Sequence, residues 1–385
     1  MSYEWILPEG IRSNTLRVND LTVHLLEAGD PQNPLLVLLH GFPELSYSWR
    51  KIILPLAIAG YHVIAPDRRG FGRTIMLDRL DPSTSIEYDE DIQPFRSFNL
   101  ATDIVALVFA LGFTKVHAVI GHDSGSPVAA YCALIRPDMF QRVVMMSSPF
   151  AGPPSFPIGG STSANPSIAS LFAHMVEALA QLDPPRKHYV AYYSSPDANR
   201  DMTSSDLKHF FRAYYHMKSA DWVPNDPHPL PALSAASFAL LPEYYVMRLE
   251  CTMPESVLPT SPSPDEIQSN RWLSDSEIDV YVAEYGRTGF QGGLNSYRCG
   301  LDVSGRSTSD LLILSGKKVD VPAMYIAGKK DWGTYQFPGA VEQMKNVCVR
   351  MGDRVRLVDG AGHWVQQEKP DDVVKLLLDF FEETK

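Results

Sequence analysis

The chain has 385 residues, of which 45% are hydrophobic, and its formal net charge at pH 7 is −11. This length exceeds the size at which a single hydrophobic core keeps growing, so two lobes are expected. The acidic balance argues against nucleic acid or an anionic membrane as a partner, because both require basic patches.

Cysteine usage and the N-terminal sequence predict a cytoplasmic protein. Cys132, Cys251, Cys299 and Cys348 show neither CxxC nor metal-ligand spacing, which favours reduced thiols. The first ten residues lack a basic segment followed by an apolar one, so no signal peptide is expected. No apolar run approaches the ~20 residues of a membrane span. We therefore expect a soluble protein that acts on a small molecule, and its oligomeric state stays open.

The first part of the chain predicts alternating strands and helices. Strands are predicted at 15–18, 21–27, 35–39, 62–67, 116–120 and 142–146, and helices at 49–59, at 99–111 and from Ser126 onward. The runs at 35–39 and 62–67 are apolar throughout, which indicates strands buried on both faces of a parallel sheet. Residues 75–98 are polar and irregular and predict a surface loop. This alternation indicates an open, mostly parallel α/β sheet flanked by helices.

The character of the sequence changes near Pro149. Residues 151–167 are rich in Gly, Pro and Ser, as in a linker. Helices are predicted at 168–182, 188–193, 206–216 and 275–285, a Pro-rich loop at 224–265, strands at 323–327 and 355–358, and a last helix at 371–381. We therefore expect an α/β core made of residues 1–150 and 315–385, with a mainly helical insertion at residues 151–314.

One predicted turn has the features of a catalytic nucleophile. Residues 121–125 read Gly-His-Asp-Ser-Gly and connect a strand to a helix, with Asp123 at the centre. The pattern resembles the nucleophile elbow of α/β hydrolases, in which the central residue is usually serine. The glycines are required because the strained turn brings strand and helix backbones too close for a Cβ. Asp123 is therefore the predicted nucleophile.

Two later residues complete the chain order of an α/β-hydrolase triad. Asp331 comes just after the predicted strand 323–327, and His363 lies in a glycine-rich turn after the strand 355–358. Ligands of open α/β sheets bind at the carboxyl ends of the strands. A single loop Asp or His is usually a turn former or a solvated side chain. The order and placement of three such residues together predict a triad in which Asp331 orients His363.

The segment 40–43, His-Gly-Phe-Pro, directly follows a buried strand and predicts an oxyanion hole. The backbone N–H groups of Phe42 and Ser124 would hold an oxyanion as it develops. Phe42, Trp49 and Trp364 are candidate residues of the substrate pocket.

Three motifs together resemble the soluble epoxide hydrolases of the α/β-hydrolase superfamily. They are residues 40–50 (HGFPELSYSWR), the Asp123 turn, and two parts of the segment 272–298, which begins WLSDSEI and ends GFQGGLNSYR. The resemblance covers nearly the whole chain, and its last motif is specific because it lies in the helical insertion. It implies an α/β-hydrolase core with a helical cap. The implied reaction converts an epoxide to a vicinal diol through an ester of Asp123, which water activated by His363 hydrolyses.

The resemblance also implies two tyrosines of the cap that bind the epoxide oxygen. One is Tyr297, and the second is expected to be Tyr189, with Tyr192 and Tyr193 as close competitors. No metal or organic cofactor is implied. The many aromatic side chains and methionines of the insertion indicate a mostly apolar pocket, and hence a bulky apolar epoxide as substrate.

Other proteins of the same fold share parts of this pattern of residues. Haloalkane and haloacid dehalogenases use the same Asp ester, but they commonly place an indole N–H or arginines near the nucleophile, where this chain has Ser124 and Pro127. Many epoxide hydrolases have Trp at the position of Ser124, and the segment 74–98 is longer than expected. A serine esterase is disfavoured because only Asp123 has glycines two residues away on both sides. A non-catalytic small-molecule binder of the same fold would be expected to have lost part of the triad.

Overall fold

A computed structural model describes residues 4–79, 84–156, 168–302 and 304–385. The strands are β1 (Arg12–Val18), β2 (Leu21–Ala28), β3 (Leu35–Leu39), β4 (His62–Pro66), β5 (Ile75–Met76), β6 (Ala118–His122), β7 (Val143–Met146), β8 (Arg186–His188), β9 (Val246–Arg248), β10 (Ala323–Gly328) and β11 (Val355–Val358).

Helices occupy both core and insertion. They are α1 (Arg50–Ile58), α2 (Ser97–Ala110), α3 (Gly125–Ile135), α4 (Ile168–Ala180), α5 (Tyr189–Tyr193), α6 (Ala198–Thr203), α7 (Leu207–Met217), α8 (Ala235–Phe238), α9 (Met253–Val257), α10 (Pro264–Ser269), α11 (Asp275–Thr288), α12 (Gln291–Gly300), α13 (Ala340–Val347), α14 (Val365–Glu368) and α15 (Pro370–Glu383). Within the described ranges, no helix has the length and apolarity to cross a bilayer.

The central sheet has the strand order β1-β2-β4-β3-β6-β7-β10-β11. β1, β2 and β4 pair antiparallel, β5 adds to β2, and the strands from β4 to β11 pair parallel. Side chains alternate between the two faces of each strand. In β3, Leu36 and Leu38 join the hydrophobic cluster on one face, and Val37 joins the cluster on the other. The strand is buried along its whole length, as its apolar sequence predicts.

Helices α4–α12 lie between β7 and β10 along the chain. α7 packs against α11, and Phe210, Phe211 and Tyr281 of these helices belong to the same cluster as Leu36 and Leu38 of the sheet. The helical insertion therefore shares one hydrophobic core with that face of the sheet. A separate antiparallel pair, β8 and β9, lies within the insertion.

The prediction of a loop at 224–265 is wrong in part. This stretch contains α8, β9 and α9, and α10 begins at Pro264. Capping boxes at Thr252 and Ser263 start α9 and α10, and a proline occupies the first turn of each helix. A proline there loses no helical hydrogen bond, because the first N–H groups of a helix have no partner inside it. The prolines of this stretch thus mark helix starts as well as loops.

Other element predictions differ less from the structure. The sequence predicts a strand at 116–120, and β6 begins two residues later, at Ala118. The segment 75–98 is mostly irregular but contains β5 and a 3₁₀ turn at Gln93–Phe95. The glycine-rich helix α12 was not predicted. Of the predicted linker 151–167, residues 157–167 lie outside the described residues.

The turn between β6 and α3 requires glycine at both ends. A Cβ on Gly121 would meet the carbonyl oxygen of Gly125, and a Cβ on Gly125 would meet that of Leu39 in β3. Between them Asp123 has φ of 50°, which is rare for a residue with a side chain. The close backbone approach predicted for this turn is therefore confirmed.

Substituting Gly125 with Ala is predicted to lower the free energy of unfolding by about 1–3 kcal/mol, because the added methyl group overpacks the β3–α3 contact. Gly300→Ala is the control, since a Cβ at Gly300 has no neighbour within 4 Å. Chemical denaturation measures both variants. Equal stabilities of the two variants would contradict this account of the turn.

Candidate active site

Asp123 lies at the apex of the β6–α3 turn, beside the end of β3. Since β3 and β6 are neighbours in the sheet, the segment that follows β3 lies next to the turn. The Phe42 N–H donates to Asp123 Oδ1 at 2.9 Å. Side-chain atoms of Asp123 retain 16% exposure. The carboxylate is thus held by a backbone donor and still accessible.

His363 and Asp331 meet Asp123 from the carboxyl ends of β11 and β10. His363 Nδ1 is 3.1 Å from Asp331 Oδ1, which also accepts the Gly333 N–H at 2.8 Å. A carboxylate only accepts, so Nδ1 is protonated and donates to Asp331. The other nitrogen, Nε2, lies 3.3 Å from Asp123 Oδ2. The three residues predicted as a triad therefore come together, with Nε2 directed at the carboxylate of Asp123.

Electrostatics keep both carboxylates of this group ionised. Burial alone would raise the pKa of Asp123, but the adjacent imidazole of His363 lowers that pKa well below its usual range. The charges of Lys218 and His122 act in the same direction. Burial also favours a higher pKa of Asp331, and the interaction with His363 outweighs it and lowers that pKa. Asp123 is therefore an anion at neutral pH without help from a base.

Tyr189 and Tyr297 of the insertion pack close to each other and to the segment 40–43. Their rings are 6.0 Å apart, and the Tyr297 ring is 5.7 Å from that of Phe42. Burial and the negative charge of Asp123 raise the pKa of both phenols well above the usual value. Both hydroxyl groups remain protonated at neutral pH, and neither has a hydrogen-bond partner among the described residues. Both hydroxyl groups are therefore free to donate a hydrogen bond.

The competing tyrosines of α5 are engaged elsewhere. The Tyr192 hydroxyl donates to Asp201 Oδ2 at 3.3 Å, and the Tyr193 hydroxyl donates to that of Tyr214 at 3.2 Å. Both side chains are buried. Among the three tyrosines of this helix, Tyr189 alone has a hydroxyl group without a hydrogen-bond partner among the described residues.

A buried ion pair below the turn was missed by the sequence analysis. His122 Nε2 donates to the carbonyl oxygen of His363 at 2.7 Å, and Nδ1 lies 2.6 Å from Glu44 Oε2. Glu44 also accepts from the Gly41 N–H and the Gln366 amide, each at 2.9 Å. Burial opposes both charges, but mutual attraction raises the pKa of His122 and lowers that of Glu44. An imidazolium thus supports the backbone of His363, and Glu44 connects it to the segment 40–43.

Lys218 is a second group that the sequence analysis missed. Its side chain is buried, and Nζ lies 5.3 Å from the ring centroids of both Tyr245 and Trp364. Aromatic faces stabilise a desolvated cation at such distances. The carbonyl of Lys218 accepts the His363 N–H at 2.8 Å. Glu44 belongs to the motif at residues 40–50, so the sequence could have indicated it. Lys218 has no such motif around it, because its aromatic neighbours come from distant segments.

The two tryptophans considered as pocket residues are fully buried. Trp49 packs edge-on against His122, with 6.5 Å between ring centroids, behind the nucleophile turn. Trp364 packs edge-on against His363 at 4.7 Å and donates from Nε1 to the carbonyl of Tyr215 at 2.9 Å. Both rings thus contact the residues that support the site. Phe42, also buried, is the member of this set that packs against Tyr297.

Comparisons with known proteins agree with this geometry. A family model described as the alpha/beta hydrolase fold matches residues 34–370. The chain is 31% identical to epoxide hydrolase A of Mycobacterium tuberculosis over 94% of each chain. It is 30% identical to epoxide hydrolase 1 of Siraitia grosvenorii, over 97% of this chain and 99% of the relative. A crystal structure of epoxide hydrolase A from Mycobacterium thermoresistibile matches with a TM-score of 0.74 and 31% identity, covering 97% and 99% of the two chains.

Replacing Glu44 with Gln is predicted to lower the free energy of unfolding by about 3–5 kcal/mol, because the charge of His122 loses its partner. Ionised Glu44 contributes stability above the unfolded-state pKa of glutamate, ~4.3, and this stability is lost as pH falls through the lower pKa of the folded protein. Charged His122 contributes its full stability below the unfolded-state pKa of histidine, ~6.5, and this stability is lost as pH rises through the higher pKa of the folded protein. The difference from the wild-type protein should therefore be largest between ~pH 4.5 and 6.5.

Urea unfolding at several pH values measures this difference. The control Asp379→Asn removes one partner of an exposed pair with Lys375, which is expected to cost less than about 0.5 kcal/mol. A cost of Glu44→Gln no larger than that of the control would contradict the ion-pair assignment.

Proposed function

The chain belongs to the epoxide hydrolases of the α/β-hydrolase family, and we propose that Asp123, His363, Asp331, Tyr297 and Tyr189 carry out its reaction. An epoxide and water are converted to a vicinal diol in two steps. An ester of Asp123 forms first, and water then hydrolyses it.

In the first step, Asp123 attacks a ring carbon of the epoxide. The carbon–oxygen bond breaks, and Tyr297 or Tyr189 gives its proton to the developing alkoxide. The ring oxygen becomes a hydroxyl group, and the tyrosine is left as a phenolate. An epoxide oxygen leaves poorly unless a donor neutralises it, which a positioned phenol does as a general acid. The uncommitted hydroxyl groups of these two tyrosines and their electrostatic interaction with Asp123 support this role.

In the second step, His363 Nε2 takes a proton from a water that attacks the carboxyl carbon of the ester. The electron pair moves to the carbonyl oxygen, which the N–H groups of Phe42 and Ser124 stabilise. When the intermediate collapses, the departing diol oxygen takes the proton from His363. The acid proton left on Asp123 returns to the tyrosine that was deprotonated in the first step, which restores the Asp123 carboxylate. Asp331 holds Nδ1–H and stabilises the imidazolium. The 2.9 Å hydrogen bond from Phe42 to Asp123 supports this assignment.

The contacts of the Asp123 carboxylate are the strongest support for this proposal. The same carboxylate of Asp123 contacts a backbone donor through Oδ1 and the imidazole of His363 through Oδ2. These two contacts support an aspartate that attacks the substrate and is then hydrolysed at its own carboxyl carbon. Dehalogenation would use the same aspartate, but the two uncommitted tyrosine hydroxyl groups favour an epoxide, because a departing halide needs no proton.

We also propose that residues 151–314 form a cap over the core of residues 1–150 and 315–385, with an apolar epoxide bound between them. Tyr189 and Tyr297 of the insertion support this, since Tyr297 packs on Phe42 of the core. The aromatic contacts of Phe42 with Tyr193 and Phe290 support an apolar substrate. A cytoplasmic location is proposed from the four cysteines, which are free thiols.

His363→Gln is predicted to accumulate the ester, because the nucleophile remains while the base for water is lost. Intact-protein mass spectrometry after mixing with an epoxide should show a mass increase equal to that of the substrate, localised to Asp123. Asp123→Asn is the matched control, in which the increase should be absent. Unchanged turnover of His363→Gln would remove His363 from the mechanism.

Tyr297→Phe and Tyr189→Phe are each predicted to slow ester formation by about 10²-fold, because the general acid is lost. Hydrolysis of an ester that has already formed should remain nearly intact. Rapid-mixing measurements separate the two steps. Tyr192→Phe, which loses a hydroxyl committed to Asp201, should react like the wild-type protein. Equal loss of both steps in Tyr297→Phe would indicate a structural role instead.

A further inference from the structure

A buried guanidinium next to the nucleophile turn has no carboxylate partner among the described residues. Arg68 is 4% exposed, and its Nε has no hydrogen-bond partner. The adjacent Arg69 is paired twice, with Asp20 and Asp103 at 2.8 Å each. An unpaired buried charge costs free energy of folding. Arg68 therefore calls for an explanation that Arg69 does not.

The guanidinium of Arg68 holds the residue that follows the nucleophile. Nη2 donates to Ser124 Oγ at 2.7 Å, and Nη1 donates to the Ser124 carbonyl oxygen at 3.3 Å. Ser124 is also the residue at which many epoxide hydrolases have Trp. In this chain a serine hydroxyl and an arginine interact at that position. Both ends of the Ser124 residue, side chain and carbonyl, are thus fixed by one planar group.

The backbone of Arg68 is tied to the other half of the oxyanion hole. Its N–H donates to His40 Nε2 at 3.1 Å, and His40 Nδ1 donates to the Gly41 carbonyl at 2.9 Å. Burial and the charge of Arg68 lower the pKa of His40 to about 4, so this imidazole is neutral and its Nε2 can accept. Arg68 therefore connects the segment that carries Phe42 with Ser124.

The guanidinium also remains charged in this environment. Burial lowers the pKa of Arg68 to about 10, and the negative charge of Asp123 partly opposes that shift. Its face packs on Phe71, with 4.9 Å from Cζ to the ring centroid. At neutral pH the positive charge of Arg68 therefore interacts electrostatically with the Asp123 carboxyl group.

We propose that Arg68 is a positioning residue for ester hydrolysis, which orients the Ser124 N–H and stabilises the anion that forms on the Asp123 carboxyl oxygen. The inference rests on the proposed function, because it concerns the second step. The carboxylate charge is present in the free enzyme, absent in the ester and present again in the tetrahedral intermediate. A nearby cation thus favours hydrolysis and does not favour ester formation.

Arg68→Met tests this by separating the two steps. Rapid mixing with a chromophoric epoxide is expected to show hydrolysis slowed by about tenfold or more. Ester formation should be unchanged or faster, so the ester accumulates in the steady state. Arg68→Lys keeps the charge but not the two-point contact, and it should recover part of the hydrolysis rate. Arg17→Met, on an exposed residue of β1, is the control for loss of one positive charge.

Thermal unfolding of Arg68→Met distinguishes a positioning role of Arg68 from a structural one. Since the guanidinium has no carboxylate partner, Arg68→Met is expected to unfold at the same temperature as the wild-type protein or a higher one. Ser124→Ala provides a second variant that leaves Arg68 in place. It should slow hydrolysis more than ester formation, with a smaller effect than Arg68→Met.

The inference would be overturned if Arg68→Met slowed both steps equally. It would also be overturned if Arg68→Met unfolded at a lower temperature and Ser124→Ala showed no selective loss of hydrolysis. A wild-type rate of ester hydrolysis in Arg68→Met would also overturn the inference. As long as Arg68→Met still forms the ester on Asp123, the proposed function stands. Absence of any ester in His363→Gln would instead contradict the proposed function itself.

Discussion

The contact of three backbones at the β6–α3 turn is the constraint on which the site depends. Glycines at 121 and 125 allow β6, α3 and the end of β3 to approach more closely than any side chain permits. Asp123 is thereby held at a positive φ with its carboxylate over the end of the sheet. The same approach brings the Phe42 N–H to that carboxylate. One packing arrangement therefore positions both the proposed nucleophile and a proposed donor to the oxyanion.

Two buried charge systems converge on His363. Asp331 holds its Nδ1, and the Glu44–His122 pair holds its carbonyl oxygen. Ring and backbone are thus fixed independently, which leaves Nε2 as the group free to exchange a proton. Such preorganisation lets polar groups act without reorganising during the reaction. In the proposed mechanism, this histidine acts as a base only after the ester of Asp123 has formed.

The sequence predicted the elements governed by local chemistry. Continuous apolar runs predicted β3 and β4, the glycine pattern predicted the turn around Asp123, and strand ends predicted where Asp331 and His363 lie. Contacts between distant segments were not accessible. His122 meets Glu44 across 78 positions, and the hydrogen bond of the Tyr192 hydroxyl to Asp201 joins two different helices, α5 and α6. The prolines of α9 and α10 were misinterpreted because a first-turn proline and a loop proline look alike in sequence.

The central claim is that oxygen enters the diol through the carboxyl group of Asp123. A single turnover in ¹⁸O-labelled water, with enzyme in excess over an epoxide, tests it directly. The account predicts label in the peptide that contains Asp123, found by mass spectrometry, and unlabelled oxygen in the first diol released. Label in that first diol with none in Asp123 would mean direct attack by water and would contradict the account.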